Sequence, residues 1–197
     1  MLRARIAVLV SGGGTNLQAL IDNQAAGNLP SGQIALVIAD KAGVKAIERA
    51  GNAGIPCEVI IRKEDGFEEK VLEALTRHNI DMVVLAGFLG ILSADFIRRF
   101  AKPIINIHPA LIPSFCGKGM YGLKVHEAAL EYGVKVTGAT VHYVNEIPDG
   151  GKIIAQKAVD ILPGDTAEVL QRRVMEQAEW KLLPAAAEMV AKEIISR

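Results

Sequence analysis

Through its first hundred residues the chain alternates short, uninterrupted apolar runs with segments that repeat every three to four positions. Arg5 to Val10, RIAVLV, is a β-branched run that stops at three glycines, and TNLQALIDNQ behind it keeps Leu17, Leu20 and Ile21 at helical spacing. Gln33 to Asp40 repeats the strand pattern, and VKAIERAGNAG follows as a helix closing on glycine, where a left-handed cap is expected. Cys57 to Ile61 reads as a third strand. FEEKVLEALTRH then reads as a helix with Phe67, Val71, Leu72 and Leu75 on one face and Glu68, Glu69, Lys70 and Arg77 off it. Asp81 to Phe88, DMVVLAGF, supplies a fourth strand. A strand covered on both faces loses its period-two alternation, so these runs predict an α/β fold: a mostly parallel, twisted sheet with helices on both faces.

The second half changes character. Lys102 to His108, KPIINIH, is a fifth strand that opens into a proline- and glycine-rich loop, PALIPSFCGKGMYG, before the helix LKVHEAALEYG. ATVHYVNE and KIIAQKAVDI read as two longer strands joined across IPDGG, which brings the count to about seven. Asp165 to Ile194 is predicted helical, a long C-terminal segment with a break expected at Pro184.

Composition narrows the chemistry. The chain has 197 residues, half of them apolar, which fits one compact domain over 1–197 with a sizeable core. Twenty-two cationic and 22 anionic residues cancel, so no global field favours nucleic acid or an anionic membrane, and any anion site is local. Cys57 and Cys116 belong to no CxxC or Cys/His ligand pattern, which points to a reducing, cytoplasmic setting rather than to a disulfide framework or a zinc site. Ile6 to Val10 is too short for a signal-peptide core, and Met82 to Leu92 falls far short of the roughly 20 residues of a membrane helix.

Ligands of open α/β sheets sit beyond the carboxyl ends of the strands, where SGGGTN, AGFLGIL and NIHP all fall. In SGGGTN, Gly12, Gly13 and Gly14 lead into Thr15 and Asn16 at a helix start, where free N–H groups and the helix dipole favour a phosphate. A turn using glycine for positive φ explains the same loop, and a phosphomonoester site is the sharper reading. Leu17 stands where a dinucleotide fingerprint has its third glycine. Asn106 and His108 share a face of an extended strand, an amide donor and an imidazole suited to a reaction that develops an oxyanion and moves a proton. A buried histidine satisfied by backbone is the competing explanation. His78, His126 and His142 read as structural, since no HExxH-type spacing links them. Asp149, between Pro148 and Gly150, reads as a turn aspartate unless it lies near His108, whose pKa it would then raise. Glu179 reads as part of a solvated helix face.

Taken in order, SGGGTN, VVLAGFLGILS, NIHPALIPSF, VTGATVHYV, DGGKIIAQ and AEWKLLP resemble the phosphoribosylglycinamide formyltransferases, folate-dependent enzymes of purine synthesis, over nearly the whole chain. The related methionyl-tRNA formyltransferases carry a further C-terminal domain for which 197 residues leave no room. Formyltetrahydrofolate deformylases carry an N-terminal regulatory domain, whereas here the first strand begins within a few residues. The resemblance implies a Rossmann-like fold with a phosphate-binding half (1–100) and a catalytic and folate-binding half (101–197). It implies transfer of a formyl group from 10-formyltetrahydrofolate to the amine of glycinamide ribonucleotide through a tetrahedral intermediate, with no metal.

By the same resemblance Asn106 and His108 stabilise the oxyanion, and Asp149 raises the histidine pKa and relays a proton. Gly14, Thr15 and Asn16 hold the substrate phosphate, and Glu179 contacts the ribonucleotide. Leu89, Gly90, Ile91, Leu92, Asn106, Val144 and Asn145 line the folate site, with Lys63 the nearest match for a basic residue on that side. Partners are small molecules, not nucleic acid or membrane, and the protein is a monomer or homodimer.

The chain departs from the family's pattern most plainly at Gly90 and in the loop after Pro113. Gly90 in GFLGILS replaces an arginine of many members, which removes a cation and loosens the loop. The loop after Pro113 is several residues longer, and its Lys118 offers a replacement charge. Besides a formyltetrahydrofolate deformylase-type hydrolase, two readings outside the family stay open: a nicotinamide-dependent oxidoreductase using Asp40 for ribose, and a noncatalytic phosphosugar-binding protein.

Overall fold

A computed structural model describes residues 2–197. Strands β1 (Ala4–Val10), β2 (Gly32–Ala39), β3 (Cys57–Val59), β4 (Met82–Leu85) and β5 (Ile104–His108) alternate with helices α1 (Thr15–Ala25), α2 (Lys45–Asn52), α3 (Phe67–Arg77) and α4 (Ala94–Phe100). Helix α5 (Leu123–Tyr132) then leads into β6 (Val136–Tyr143) and β7 (Ile153–Asp160). The chain closes with α6 (Ala167–Val174), a π turn at Met175–Glu179 and α7 (Trp180–Ile195). Among the described residues seven strands form one sheet in the order β3-β2-β1-β4-β5-β6-β7. The first five run parallel, and β6 and β7 are antiparallel additions.

Alternate residues of the central strands feed two separate cores. Ile6, Val8 and Val10 of β1 pack with Met82 and Val84 of β4 and with Leu183, Ala187 and Val190 of α7. Ala7 and Leu9 face the other way, onto Val83 and Leu85 of β4, Val71 and Leu75 of α3 and the fully buried Phe96 of α4. This two-sided burial is why β1, β2 and β4 read as continuous apolar runs.

The antiparallel pair β6 and β7 includes an edge, and most of β7 is exposed. The third strand is shorter than its apolar run: it ends at Val59, although the Ile60 N–H still bonds to the Ala39 carbonyl at 3.0 Å and the Ile60 side chain enters the α3-side core. Helix α4 has no counterpart in the pattern reading. Its seven residues start at Ser93, whose hydroxyl accepts the Phe96 N–H at 3.0 Å.

The expected break at Pro184 does not occur. Helix α7 passes through it, and the irregularity lies upstream, where Trp180 N–H reaches back five residues to the Met175 carbonyl. Proline removes one bond of the ladder. Leu183, Pro184 and Ala187, buried against the sheet, hold the helix together across that gap.

Candidate active site

Because β1, β4 and β5 are parallel neighbours, the loops after Val10, Leu85 and His108 emerge on one side of the sheet. Together with the Val144–Asp149 loop they enclose a cleft of about 450 Å³. On β5, Ile105 and Ile107 point into one core and Ile104 into the other. Asn106 and His108 share the Ile104 face and emerge beyond that core into the cleft.

Asp149 completes this group from across the sheet. Its Oδ2 lies 3.7 Å from His108 Nδ1, and its Oδ1 lies 3.5 Å from His142 Nε2. Asn106 stands directly opposite His142 in the β5–β6 register, with Nδ2 and Nε2 3.1 Å apart. His142 is one of the three histidines that read as structural in the sequence, and the structure makes it the fourth member of the cluster. His108 Nε2 donates to the Phe115 carbonyl at 2.8 Å. Phe115 and Asp149, the two residues facing the two imidazole nitrogens, both have positive φ, 50° and 54°. Such outliers gather where a site over-determines its backbone. Asp149 also accepts the Gly117 N–H at 2.8 Å, which ties the long loop after Pro113 to the carboxylate.

The protonation of His108 departs from the sequence expectation. Burial pushes its pKa below the ordinary value of 6.5, the Asp149 charge and the Phe115 carbonyl raise it, and His142 lowers it; the net direction is down. Asp149 therefore acts with the expected sign, but desolvation outweighs it and the resting imidazole is neutral near pH 7. Asp149 itself stays ionised. Burial pushes its pKa up, but the hydrogen bonds from His142 and the Gly117 amide and the nearby imidazoles hold it below the usual carboxylate range.

On the opposite wall, Gly14 adopts φ 70° at the start of α1, and a Cβ there would lie 2.8 Å from that of Ala46. Among the described residues no side chain caps α1, and no acidic residue occupies its first turn. Gly12 and Asn16 line the cleft; Gly14 does not, and Thr15 lines a separate depression with Arg49 and Trp180. Asn16 Nδ2 donates to Glu179 Oε2 at 2.6 Å. Glu179 is not on a solvated face: the π turn carries it inward to 6 % exposure. Burial raises its pKa, and the Asn16 amide partly offsets that. The sequence signal for this placement is weak, since a π turn rotates its residues out of the 3.6-residue period.

Leu89, Gly90, Ile91, Leu92, Val144 and Asn145 all line the cleft, with Leu89 and Ile91 exposed. Lys118 lines it as well, but Lys63 does not. Next to Gly90 the loop is tied at Leu89, whose N–H donates to Ser11 Oγ at 2.9 Å and whose carbonyl accepts from Arg62 at 3.3 Å. Asp40 is 1 % exposed and faces Arg62, so it is not presented to a ribose as the nicotinamide reading requires. His126 is fully buried at the cleft wall, and neither ring nitrogen has a partner among the described residues. Burial and the proximity of His108 lower its pKa to about 4.

Fold and site together define an α/β protein that presents an amide, two imidazoles and a carboxylate to a small-molecule cleft beside an uncapped helix start. The model of the formyl transferase family matches residues 4–187, and the chain belongs to that family. Phosphoribosylglycinamide formyltransferase of Haemophilus influenzae is 41% identical over 184 residues, 91% of this chain and 84% of that protein. The human trifunctional purine biosynthetic protein adenosine-3 is 47% identical over 193 residues, 96% of this chain. The chain spans only 18% of the length of that larger relative. Among solved structures, glycinamide ribonucleotide transformylase 1 from Symbiobacterium toebii superposes with a TM-score of 0.89 at 38% identity, covering 97% of this chain and 89% of that one.

Proposed function

We propose that this chain transfers the formyl group of 10-formyltetrahydrofolate to the amine of glycinamide ribonucleotide, a step of purine biosynthesis. The observation that carries the reading is the Asn106, His108, His142 and Asp149 cluster at the bottom of a cleft whose two walls differ in chemistry. One wall offers the α1 start and Asn16–Glu179, suited to a phosphorylated amine substrate. The other offers the Leu89–Leu92 and Val144–Asn145 backbone, suited to a flat heterocycle. The names of the relatives of similar length support the same reaction.

In this mechanism the amine nitrogen attacks the formyl carbon, a C–N bond forms, and the carbonyl oxygen gains negative charge. Asn106 Nδ2 donates to that oxygen. His108, neutral at rest, becomes the more basic as the negative charge develops beside it, and its Nδ1 side, facing Asp149, favours the imidazolium. Collapse breaks the bond to the folate nitrogen, which takes up a proton as the attacking nitrogen gives one up. Asp149 and His142 line the route between them. Glu179 and Asn16 orient the ribonucleotide, and Gly14, Thr15 and Asn16 receive its phosphate.

The test is absorbance-monitored release of folate from a 10-formyl donor, with and without the ribonucleotide, for wild type and His108→Ala. Release that requires the amine and collapses in the variant is the expected result. Amine-independent release would mean a deformylase-type hydrolase, and no release with intact binding would mean a phosphosugar-binding protein.

A further inference from the structure

One arginine serves both a buried carboxylate and a loop carbonyl at the rim of the cleft. The Asp40 side chain, just past β2, is fully withdrawn from solvent, and neither of its oxygens has a hydrogen-bond partner among the described residues. A buried carboxylate needs a compensating charge. Here it is Arg62, whose Nε lies 3.2 Å from Asp40 Oδ2 and whose own N–H is bonded to the Asp40 carbonyl at 3.2 Å. The other end of the same guanidinium donates Nη1–H to the Leu89 carbonyl at 3.3 Å.

With Ser11 accepting the Leu89 N–H, the polar backbone groups of Leu89 are engaged on both sides. Gly90 leaves the room this requires. A Cβ there would lie 2.6 Å from the Phe88 ring and 3.0 Å from Arg62 Cδ, so the arginine stem packs where a side chain at 90 would begin.

The geometry points to Arg62 as a positioning residue for the formyl-donor loop: Asp40 anchors its guanidinium, and the guanidinium fixes the Leu89 carbonyl before the donor arrives. This rests on the reading that Leu89 to Leu92 face the folate. Arg62 does not line the cleft, so its effect passes through the loop rather than through contact with the donor. The planar fork is essential to the arrangement, because a lysine ammonium is a single point charge that cannot engage both partners in this way.

Two measurements on full-length Arg62→Lys and Arg62→Met separate this role from a general structural one. In the unliganded protein, amide hydrogen exchange over residues 86–92 is expected to accelerate roughly tenfold, the scale of one charge-assisted hydrogen bond, with β1 unchanged. In steady-state formyl transfer, KM for the 10-formyl donor is expected to rise roughly tenfold, with kcat within about twofold and KM for the ribonucleotide unchanged. Lys70→Met, which removes an exposed cation of α3, is expected to change neither.

Unaltered exchange over 86–92 in Arg62→Met overturns the proposal. So does acceleration spread evenly over the sheet, or an equal rise of both KM values. If the wild type transfers no formyl group, the donor reading fails on its own, and the exchange result still decides whether Arg62 holds the loop.

Discussion

Asp149→Asn isolates the electrostatic part of the proposed mechanism. Asparagine tolerates the φ of 54° at this position and can still accept the Gly117 N–H, so the variant removes the charge and little else. Opposite unit charges 3.7 Å apart, the separation between Asp149 and His108, attract by about 4 kcal/mol at an effective dielectric of ~20. Water reaching the partly exposed carboxylate reduces this, and half of it, about 2 kcal/mol, corresponds to roughly thirtyfold in rate if the imidazolium forms on the way to the transition state. The wild-type His108 pKa already lies below 6.5 because burial outweighs Asp149, so removing Asp149 moves it further down.

The expected result is therefore a fall in kcat of at least roughly thirtyfold at neutral pH. It comes with a pH profile whose acid limb shifts to lower pH, because a His108 that has lost its anionic neighbour stays in the neutral, reactive form to lower pH. Steady-state rates from pH 5.5 to 9 and a melting curve for each variant check this. A well-folded Asp149→Asn with kcat within about threefold of wild type across that range, and an unmoved acid limb, would refute the charge argument.

Three further outcomes follow from the geometry. His126 binds its proton at about 4 in the folded protein and near 6.5 when unfolded, so the unfolded state holds more protons between those values; about 3 kcal/mol of stability is lost as pH falls through that window, and His126→Leu should flatten melting temperature against pH there. Gly14→Ala combines a strained φ of 70° with a 2.8 Å approach to Ala46, and denaturant titration should show a loss of about 1–3 kcal/mol, with a raised KM for the ribonucleotide in whatever remains folded. Thr140 Oγ1 donates to the Ala110 carbonyl at 2.7 Å and accepts from the Ile112 N–H and Gln156, so Thr140→Val strands buried groups at the base of the loop after His108; about 2–3 kcal/mol of destabilisation and a lower kcat are expected from calorimetry and kinetics.

How much of this was legible in the sequence depends on which interactions write a local pattern. The central strands did, because a strand buried on both faces must be apolar at every position, and so did the helix caps, since only glycine sits easily at Gly54 or Gly133. Asn106 and His108 were legible for a related reason. They are two residues apart on a strand whose flanking positions are apolar, so the strand period alone gives them one face.

His142 carries no such mark. Its role depends on the antiparallel register that sets it opposite Asn106, and in that register its neighbours Val141 and Tyr143 look like those of any core strand. The same holds for Asp40 and Arg62, which meet only because β2 and the segment after β3 lie side by side. Glu179 was misread because the helical period fails at a π turn, and the His108 pKa because its direction is set by burial, a property of the assembled fold. What the sequence withheld was consistently the balance between burial and charge. The chemistry of this cleft turns on that balance: a neutral His108 held against an ionised Asp149 is poised to change state when a substrate develops charge, whereas a histidine already protonated at rest would have little left to gain from the reaction.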